Sequence, residues 1–161
     1  MRALLPSRDL TAAELTRVAC VLAGEQESWR PYVRHDPAQR TYRPLLRTPY
    51  VSAWLICWMP GHDTGFHDHD GAAGAVAVAR GTVREERLCL TGSPVATEVS
   101  AGGLITFGPH DIHRVMHAGE EPAVTIHAYS PRLRRMGAYV QGEDGLLQRR
   151  ALDEDEELVA V

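Results

Sequence analysis

Gly61-His62-Asp63-Thr64-Gly65-Phe66-His67-Asp68-His69-Asp70-Gly71-Ala72-Ala73-Gly74 is the stretch on which the fold turns. It follows an apolar run ending at Met59 and a Pro60-Gly61 turn, and it precedes a second apolar run that begins at Ala75. In extended chain, residues two apart project to one face, so His67 and His69 can aim both imidazoles at a single point. Asp68 then points the other way, which suits it to a supporting or solvent-facing role and not to ligation. A His-x-His pair alone is a weak metal signature, because two histidines also sit together on a wet strand face.

Working outward, the sequence holds eight histidines, of which seven fall between residues 62 and 127. His113 lies in Gly108-Pro109-His110-Asp111-Ile112-His113-Arg114-Val115, where a turn feeds another strand. A third imidazole can therefore arrive from a neighbouring strand of a closed sheet. His110 competes with His113 on the same grounds. The spacing of His62 and His117 supplies no second metal site, and both read as structural or surface residues.

From about Arg43 onward, short runs rich in β-branched and aromatic residues are broken by turn chemistry every ~8 to 12 residues, the texture of a sandwich or barrel. Strands are expected over Val51–Met59, Ala75–Arg80, Thr82–Leu90, Ala96–Val99, Leu104–Phe107, His113–His117 and Ala123–Tyr129. Turns are expected at Pro60-Gly61, Gly92-Ser93-Pro94, Gly102-Gly103 and Gly108-Pro109. The one strong helical signature is N-terminal: Thr11-Ala12-Ala13-Glu14 has capping-box spacing, and Leu15, Val18, Ala19 and Leu22 repeat on one face. That predicts an amphipathic helix from Ala12 to about Leu22, with Leu10 and Leu15 at the staple positions and Gly24 as a stop.

At 161 residues the chain has the size of one domain. The expected division is a helical cap over 1–40, a metal-binding β core over 41–131, and a C-terminal extension over 132–161 with a solvated acidic run, Asp153 to Glu157. The net charge of -4, with basic residues scattered through the chain, leaves no footprint for nucleic acid. No apolar run is long enough to span a bilayer, and Arg2, Arg8 and Asp9 interrupt the N-terminus where a signal peptide needs apolar residues. A soluble, cytoplasmic protein, monomeric or weakly self-associating, is expected. Cys20, Cys57 and Cys89 are an odd set without Cys-x-x-Cys spacing, which argues for free thiols.

The segment Gly61-(x5)-His67-x-His69-(x4)-Gly74-(x6)-Gly81 resembles the first motif of the cupins. Gly103-(x5)-Pro109-(x3)-His113 resembles the second, with one residue fewer between its proline and histidine than in the general pattern. The resemblance implies an all-β double-stranded β-helix, a jelly-roll barrel with an added N-terminal helix, and favours His113 over His110 as the third ligand. Many cupins carry a ligating glutamate where this chain has Gly74, so the implied donor set is three neutral histidines. Such a set leaves the full charge on a divalent metal, which favours an anionic thiolate.

Several further pieces resemble the cysteine dioxygenase family. They are Tyr42-Arg43-Pro44-Leu45-Leu46, Cys57-Trp58-x-x-Gly61-His62, His67-Asp68-His69-Asp70, His113-Arg114-Val115 and His127-Ala128-Tyr129-Ser130-Pro131. They span residues 41–131, and the last is the most diagnostic, since ordinary cupins have no need of it. The resemblance implies Fe(II) held by His67, His69 and His113, with Arg43 matching the arginine that holds the substrate carboxylate. Arg47 is the alternative after a small shift in alignment. Tyr129 matches the family tyrosine beside the iron, and His127, two residues earlier on the same face, would orient its hydroxyl. Mammalian-type members have a cysteine at Gly74 that is crosslinked to the tyrosine, a bond this chain cannot form.

The implied activity is oxygenation of a small-molecule thiol by O2 to a sulfinic acid, with L-cysteine the leading substrate. Alternatives are 3-mercaptopropionate or a thiol-imidazole such as ergothioneine, a non-redox metal cupin, or a ligand-binding cupin module. Iron itself enters through the resemblance, because three imidazoles bind copper, nickel or zinc at least as tightly. Trp54, Trp58, Phe66 and Phe107 read as core filler, with Phe66 facing away from the site.

Overall fold

The computed structural model describes residues 6–142 and 146–153. Helix α1 (Ala12–Gly24) forms where the capping box predicts it: Thr11 N–H donates to Glu14 Oε2 at 2.9 Å, and Glu14 N–H donates back to Thr11 Oγ1 at 3.4 Å. Leu15, Val18, Ala19 and Leu22 are buried on its inward face. A short helix, α2 (Gln26–Trp29), follows and buries Trp29. The indole N–H of Trp29 donates to Leu22 O at 3.0 Å, tying the two helices together.

Eleven strands are described: β1 (Thr41–Arg47), β2 (Ser52–Trp58), β3 (His67–Asp68), β4 (Ala73–Arg80), β5 (Thr82–Arg87), β6 (Val95–Ser100), β7 (Leu104–Phe107), β8 (His113–Ala118), β9 (Ala123–Ser130), β10 (Arg135–Gln141) and β11 (Leu147–Asp153). They make two antiparallel sheets, ordered β1-β2-β9-β4-β7 and β11-β10-β3-β8-β5-β6. The inner faces pack into one core of Trp54, Ile56, Trp58, Val76, Val78 and Tyr129 from the first sheet against Val83, Val115 and Met136 from the second. The outer face of the first sheet is covered by α1, whose apolar stripe meets Leu55, Ala75, Ala77, Val124, Ile126 and Ala128. This explains why β2 and β9 are buried at every position: one set of alternate side chains faces the sandwich and the other the helix. Truncating Leu15 to Ala would remove a fully buried anchor of that second layer, at a cost of ~2–5 kcal/mol.

All seven expected strands are present, with ends shifted by up to three residues. β1, β3, β10 and β11 are additional to that expectation. β1 carries Pro44 and is an edge strand with a register irregularity between Pro44 and Leu46, a place where proline is tolerated. β10 and β11 pair as a hairpin that extends the second sheet, so residues of the C-terminal extension join the sheet that carries His67 and His113. Apart from Asp153, the acidic run lies outside the described residues. Cys20, Cys57 and Cys89 are all free. Among the described residues, no helix is long and apolar enough to cross a membrane.

Candidate metal centre

β3 lies between β10 and β8, and His67 is paired directly with His113 across the β3–β8 ladder. Adjacent strands therefore present two imidazoles side by side, and His69, just past the end of β3, adds the third. One potential ligand atom from each of the three lies within 4.8 Å of the others, and all three residues are buried. His110 is exposed and takes no part.

The hydrogen bonds of two rings fix which nitrogen faces the centre. His67 Nδ1 donates to Gly65 O at 3.0 Å, and His113 Nδ1 donates to Glu85 Oε1 at 2.7 Å, leaving each Nε2 lone pair for a metal. Both ring nitrogens of His69 are buried without a hydrogen-bond partner. A buried imidazole in that state is costly, and a metal ion within reach of one nitrogen removes the cost at that atom. Burial, followed by the charge of His113, pushes His67 well below the ordinary histidine value. Burial, then His67 and His113, does the same to His69. These two rings are neutral and ready to ligate near neutral pH. The donor set fits a divalent transition metal with positions left open.

Glu85 was not among the candidates from sequence. It sits at a buried position of β5, on the alternating face shared with Val83, and burial works against its ionisation. Hydrogen bonds from His113 and Arg87 overcome that and hold its carboxyl below the ordinary value. Arg87 supports it with Nη2 at 2.9 Å. The detectable signal was a carboxylate at an inward position of a half-buried strand.

Tyr129 and His127 reach the centre from β9 in the opposite sheet. The Tyr129 ring lies 5.1 Å from that of His69. Alternation along β9 turns Thr125, His127 and Tyr129 to the same inner face, and they form a relay. Trp58 Nε1 donates to Thr125 Oγ1 at 2.8 Å, Thr125 Oγ1 meets His127 Nε2 at 2.8 Å, and His127 Nδ1 meets the Tyr129 hydroxyl at 3.1 Å. An indole can only donate, so Thr125 accepts there; its hydroxyl keeps a proton and a second lone pair, and the His127 tautomer sets the direction of the two remaining bonds. With the His127 proton on Nδ1, Thr125 donates to Nε2 and the Tyr129 oxygen accepts; with it on Nε2, Thr125 accepts and Tyr129 donates to Nδ1. Burial holds His127 down to about 3, so the ring stays neutral and couples the two hydroxyls through a single proton.

Trp58 and Phe107 are therefore more than filler. Phe107 stacks on His69 with centroids 4.3 Å apart and planes 15° from parallel. Gly74, register partner of both Tyr129 and Phe107, leaves room for that ring: a Cβ there would lie 2.1 Å from Phe107 Cζ. Phe66 faces away as expected, beneath the Arg114 guanidinium at 5.8 Å. His62 and His117 have structural roles: His62 Nδ1 accepts Met59 N–H at 3.0 Å, and His117 Nε2 bonds Glu121 O at 2.9 Å.

Arg43 is not brought to this centre. It pairs with Leu55, so its side chain leaves on the outer face of the sheet, exposed, with its guanidinium 4.6 Å from the Tyr32 ring centroid. The physical reason is alternation, since Tyr42 next to it turns inward against Trp54 at 6.1 Å. The irregularity after Pro44 returns Arg47 to the inner side, 5.7 Å from the Trp54 ring. Arg40, which the sequence reading passed over, is buried on the inner side with its guanidinium 5.5 Å from the Trp58 ring. Beside His69, a cavity of about 270 Å³ is lined by Asp70, Gly71, Pro131, Arg132, Arg134 and Arg135 among others.

Two facing antiparallel sheets with three imidazoles converging between them define a protein of the cupin type with a three-histidine site of the kind that could hold a metal. More narrowly, the chain belongs to the cysteine dioxygenase type I family, whose sequence model matches residues 1–142. No curated protein sequence matches it significantly. Among solved structures it is similar to an uncharacterized conserved protein with a double-stranded β-helix domain from Klebsiella pneumoniae, 19% identical over 79% of this chain and 96% of that one, with a TM-score of 0.57. TT1209 from Thermus thermophilus is 18% identical over 64% of this chain and 93% of that one, with a TM-score of 0.56. The cupin domain of Cnp3 from Schizosaccharomyces pombe is 10% identical over 63% of this chain and 66% of that one, with a TM-score of 0.54. At these identities the likeness shows the fold.

Proposed function

We propose that this protein is an iron-dependent thiol dioxygenase that converts a small carboxylate-bearing thiol, L-cysteine first among them, to its sulfinic acid. The observation that carries the reading is the relay ending at Tyr129 beside His69, because a cupin that only binds a metal has no use for a buried tyrosine tied through a neutral histidine into a hydrogen-bonded chain. Family membership supports the same chemistry. In the overall reaction RSH + O2 gives RSO2H, so dioxygen oxidises the sulfur and no outside reductant is consumed.

Held by His67, His69 and His113, ferrous iron would supply the electronic pathway by which dioxygen reacts with a thiolate. The uncharged donor set leaves the metal's charge to attract that thiolate. The Tyr129 hydroxyl, hydrogen-bonded to His127, is the group placed to bond or protonate a reacting atom. Trp58, Thr125 and His127 hold it in place. For the carboxylate, the inner-face arginines replace Arg43. Arg40 is the buried one, its charge contributes to the lowered values of His67 and His127, and burial strengthens a guanidinium–carboxylate contact. The arginines around the cavity beside His69 favour the approach of an anionic substrate.

Apoprotein loaded anaerobically with ferrous iron, then given L-cysteine and oxygen, is expected to consume oxygen in step with cysteine sulfinate formation. A loaded protein with neither oxygen uptake nor sulfinate refutes the reading. Ranking cysteine, 3-mercaptopropionate, ergothioneine and cysteamine by kcat/KM identifies the substrate. Arg40→Met is expected to raise KM for the carboxylate-bearing thiols by ~10-fold or more and to leave cysteamine unchanged, whereas Arg43→Met leaves both unchanged.

A further inference from the structure

The three imidazoles are not held alike. His67 and His113 each have a ring nitrogen fixed by an acceptor, Gly65 O and Glu85 Oε1 respectively. His69 has no hydrogen bond at either nitrogen, and its ring is steadied by packing, chiefly the stack on Phe107. The direction of His69 therefore depends on the backbone that carries it. The ladder fixes that backbone only weakly, because β3 is two residues long, meets β8 at a single residue pair and meets β10 at two.

Side chains on either side of His69 supply what the ladder lacks. Arg149 of β11 grips Asp68 with both prongs of its guanidinium, Nε to Oδ2 at 2.7 Å and Nη2 to Oδ1 at 2.8 Å. Tyr139 of β10 donates its hydroxyl to Asp68 Oδ2 at 2.7 Å, and the Asp70 N–H donates to Oδ1 at 2.9 Å. Arg149 Nη2 also reaches Asp70 Oδ1 at 3.1 Å, while Arg135 Nε lies 3.2 Å from Asp70 Oδ2. Bidentate pairing of this kind fixes geometry as well as charge, and the Asp68 side chain is only 13% exposed. The opposing strand is shaped for it: Gly137 pairs with Asp68, and a Cβ on Gly137 would fall 2.2 Å from Arg149 Nε and 2.5 Å from Cζ.

We infer that Arg149 is a positioning residue for His69: through Asp68 and Asp70, the C-terminal hairpin clamps the backbone on both sides of the one imidazole that has no hydrogen bond of its own. The inference rests on the reading of His67, His69 and His113 as metal ligands, and it does not depend on which reaction follows.

Its test is cobalt(II) binding to apoprotein by calorimetry, together with the visible spectrum of the cobalt form, in wild type, Arg149→Met, Arg149→Lys and Gly137→Ala. Arg149→Met is expected to weaken cobalt affinity by ~10- to 100-fold and to alter the spectrum, with unchanged far-UV circular dichroism. Arg149→Lys restores the charge without the fork and is expected to recover little of the loss. Gly137→Ala keeps the arginine but displaces it, so it is expected to move affinity and spectrum in the same direction, and it serves if Arg149→Met does not fold. Affinity within about twofold of wild type and an unchanged spectrum in the folded variants overturn the inference. Wild type that binds cobalt tightly but turns over no thiol defeats the dioxygenase reading alone, whereas wild type that binds no cobalt defeats both.

Discussion

Replacing Thr125 with valine keeps the shape of the side chain and removes the hydroxyl that links Trp58 to His127 in the Trp58–Thr125–His127–Tyr129 relay. Two buried polar groups lose their partner at once, the indole N–H of Trp58 and Nε2 of His127. Each orphaned group costs ~1–3 kcal/mol, so a loss of ~2–6 kcal/mol is expected. For a chain of this size that corresponds to a fall in Tm of roughly 4–24 °C. The second consequence is functional. Without a partner at Nε2, His127 loses the bond that couples its tautomer to Thr125, and the proton chain that reaches the Tyr129 hydroxyl is cut. With thiol turnover as the assay, kcat is expected to fall by ~10- to 100-fold while KM moves little, because the relay acts on proton position and not on substrate binding. Thr125→Ser retains the hydroxyl and is expected to recover most of both losses. A valine variant with the kcat of wild type would show that the relay is only packing.

The same geometry sets three further outcomes. Glu85→Gln keeps an acceptor for His113 but removes the negative charge, so metal affinity by calorimetry is expected to drop ~10-fold, with a smaller effect on Tm. The buried, neutral His127 makes the apoprotein sensitive to acid. Its folded value, about 3, lies below the ordinary 6.5, so its contribution to stability is complete above pH 6.5 and diminishes as the pH falls toward 3. Between pH 7 and 5 that amounts to about 2 kcal/mol, and His67 and His69 add to it in the same direction. Urea unfolding of the apoprotein at the two pH values checks this, and equal stability at both refutes it. Gly74→Cys would push its Cβ into the Phe107 ring and is expected to cost ~1–3 kcal/mol and disturb the stack on His69. Combining it with Phe107→Ala should relieve the overlap, and thermal unfolding of the single and double variants compares the two.

The local signals in the sequence were sufficient for much of this. Capping-box spacing and a helical apolar stripe determined α1, because those interactions span only a few residues. Period-two alternation with Gly and Pro turns determined seven strands, and His-x-His in extended chain determined that His67 and His69 point together. The same alternation placed His127 and Tyr129 on one face of β9. Tertiary structure alone decided what lay across strands. Glu85 meets His113 only because β5 pairs with β8, and Arg149 meets Asp68 only because the C-terminal hairpin joins the sheet beside β3. Arg43 takes the outer face for the same reason: its pairing with Leu55 sets its side and the irregularity after Pro44 resets that of Arg47, and hydrophobic pattern specifies register weakly where both faces are half exposed. Side-chain period is a property of the chain itself, whereas register and partner are properties of two segments together, which no single stretch of sequence encodes.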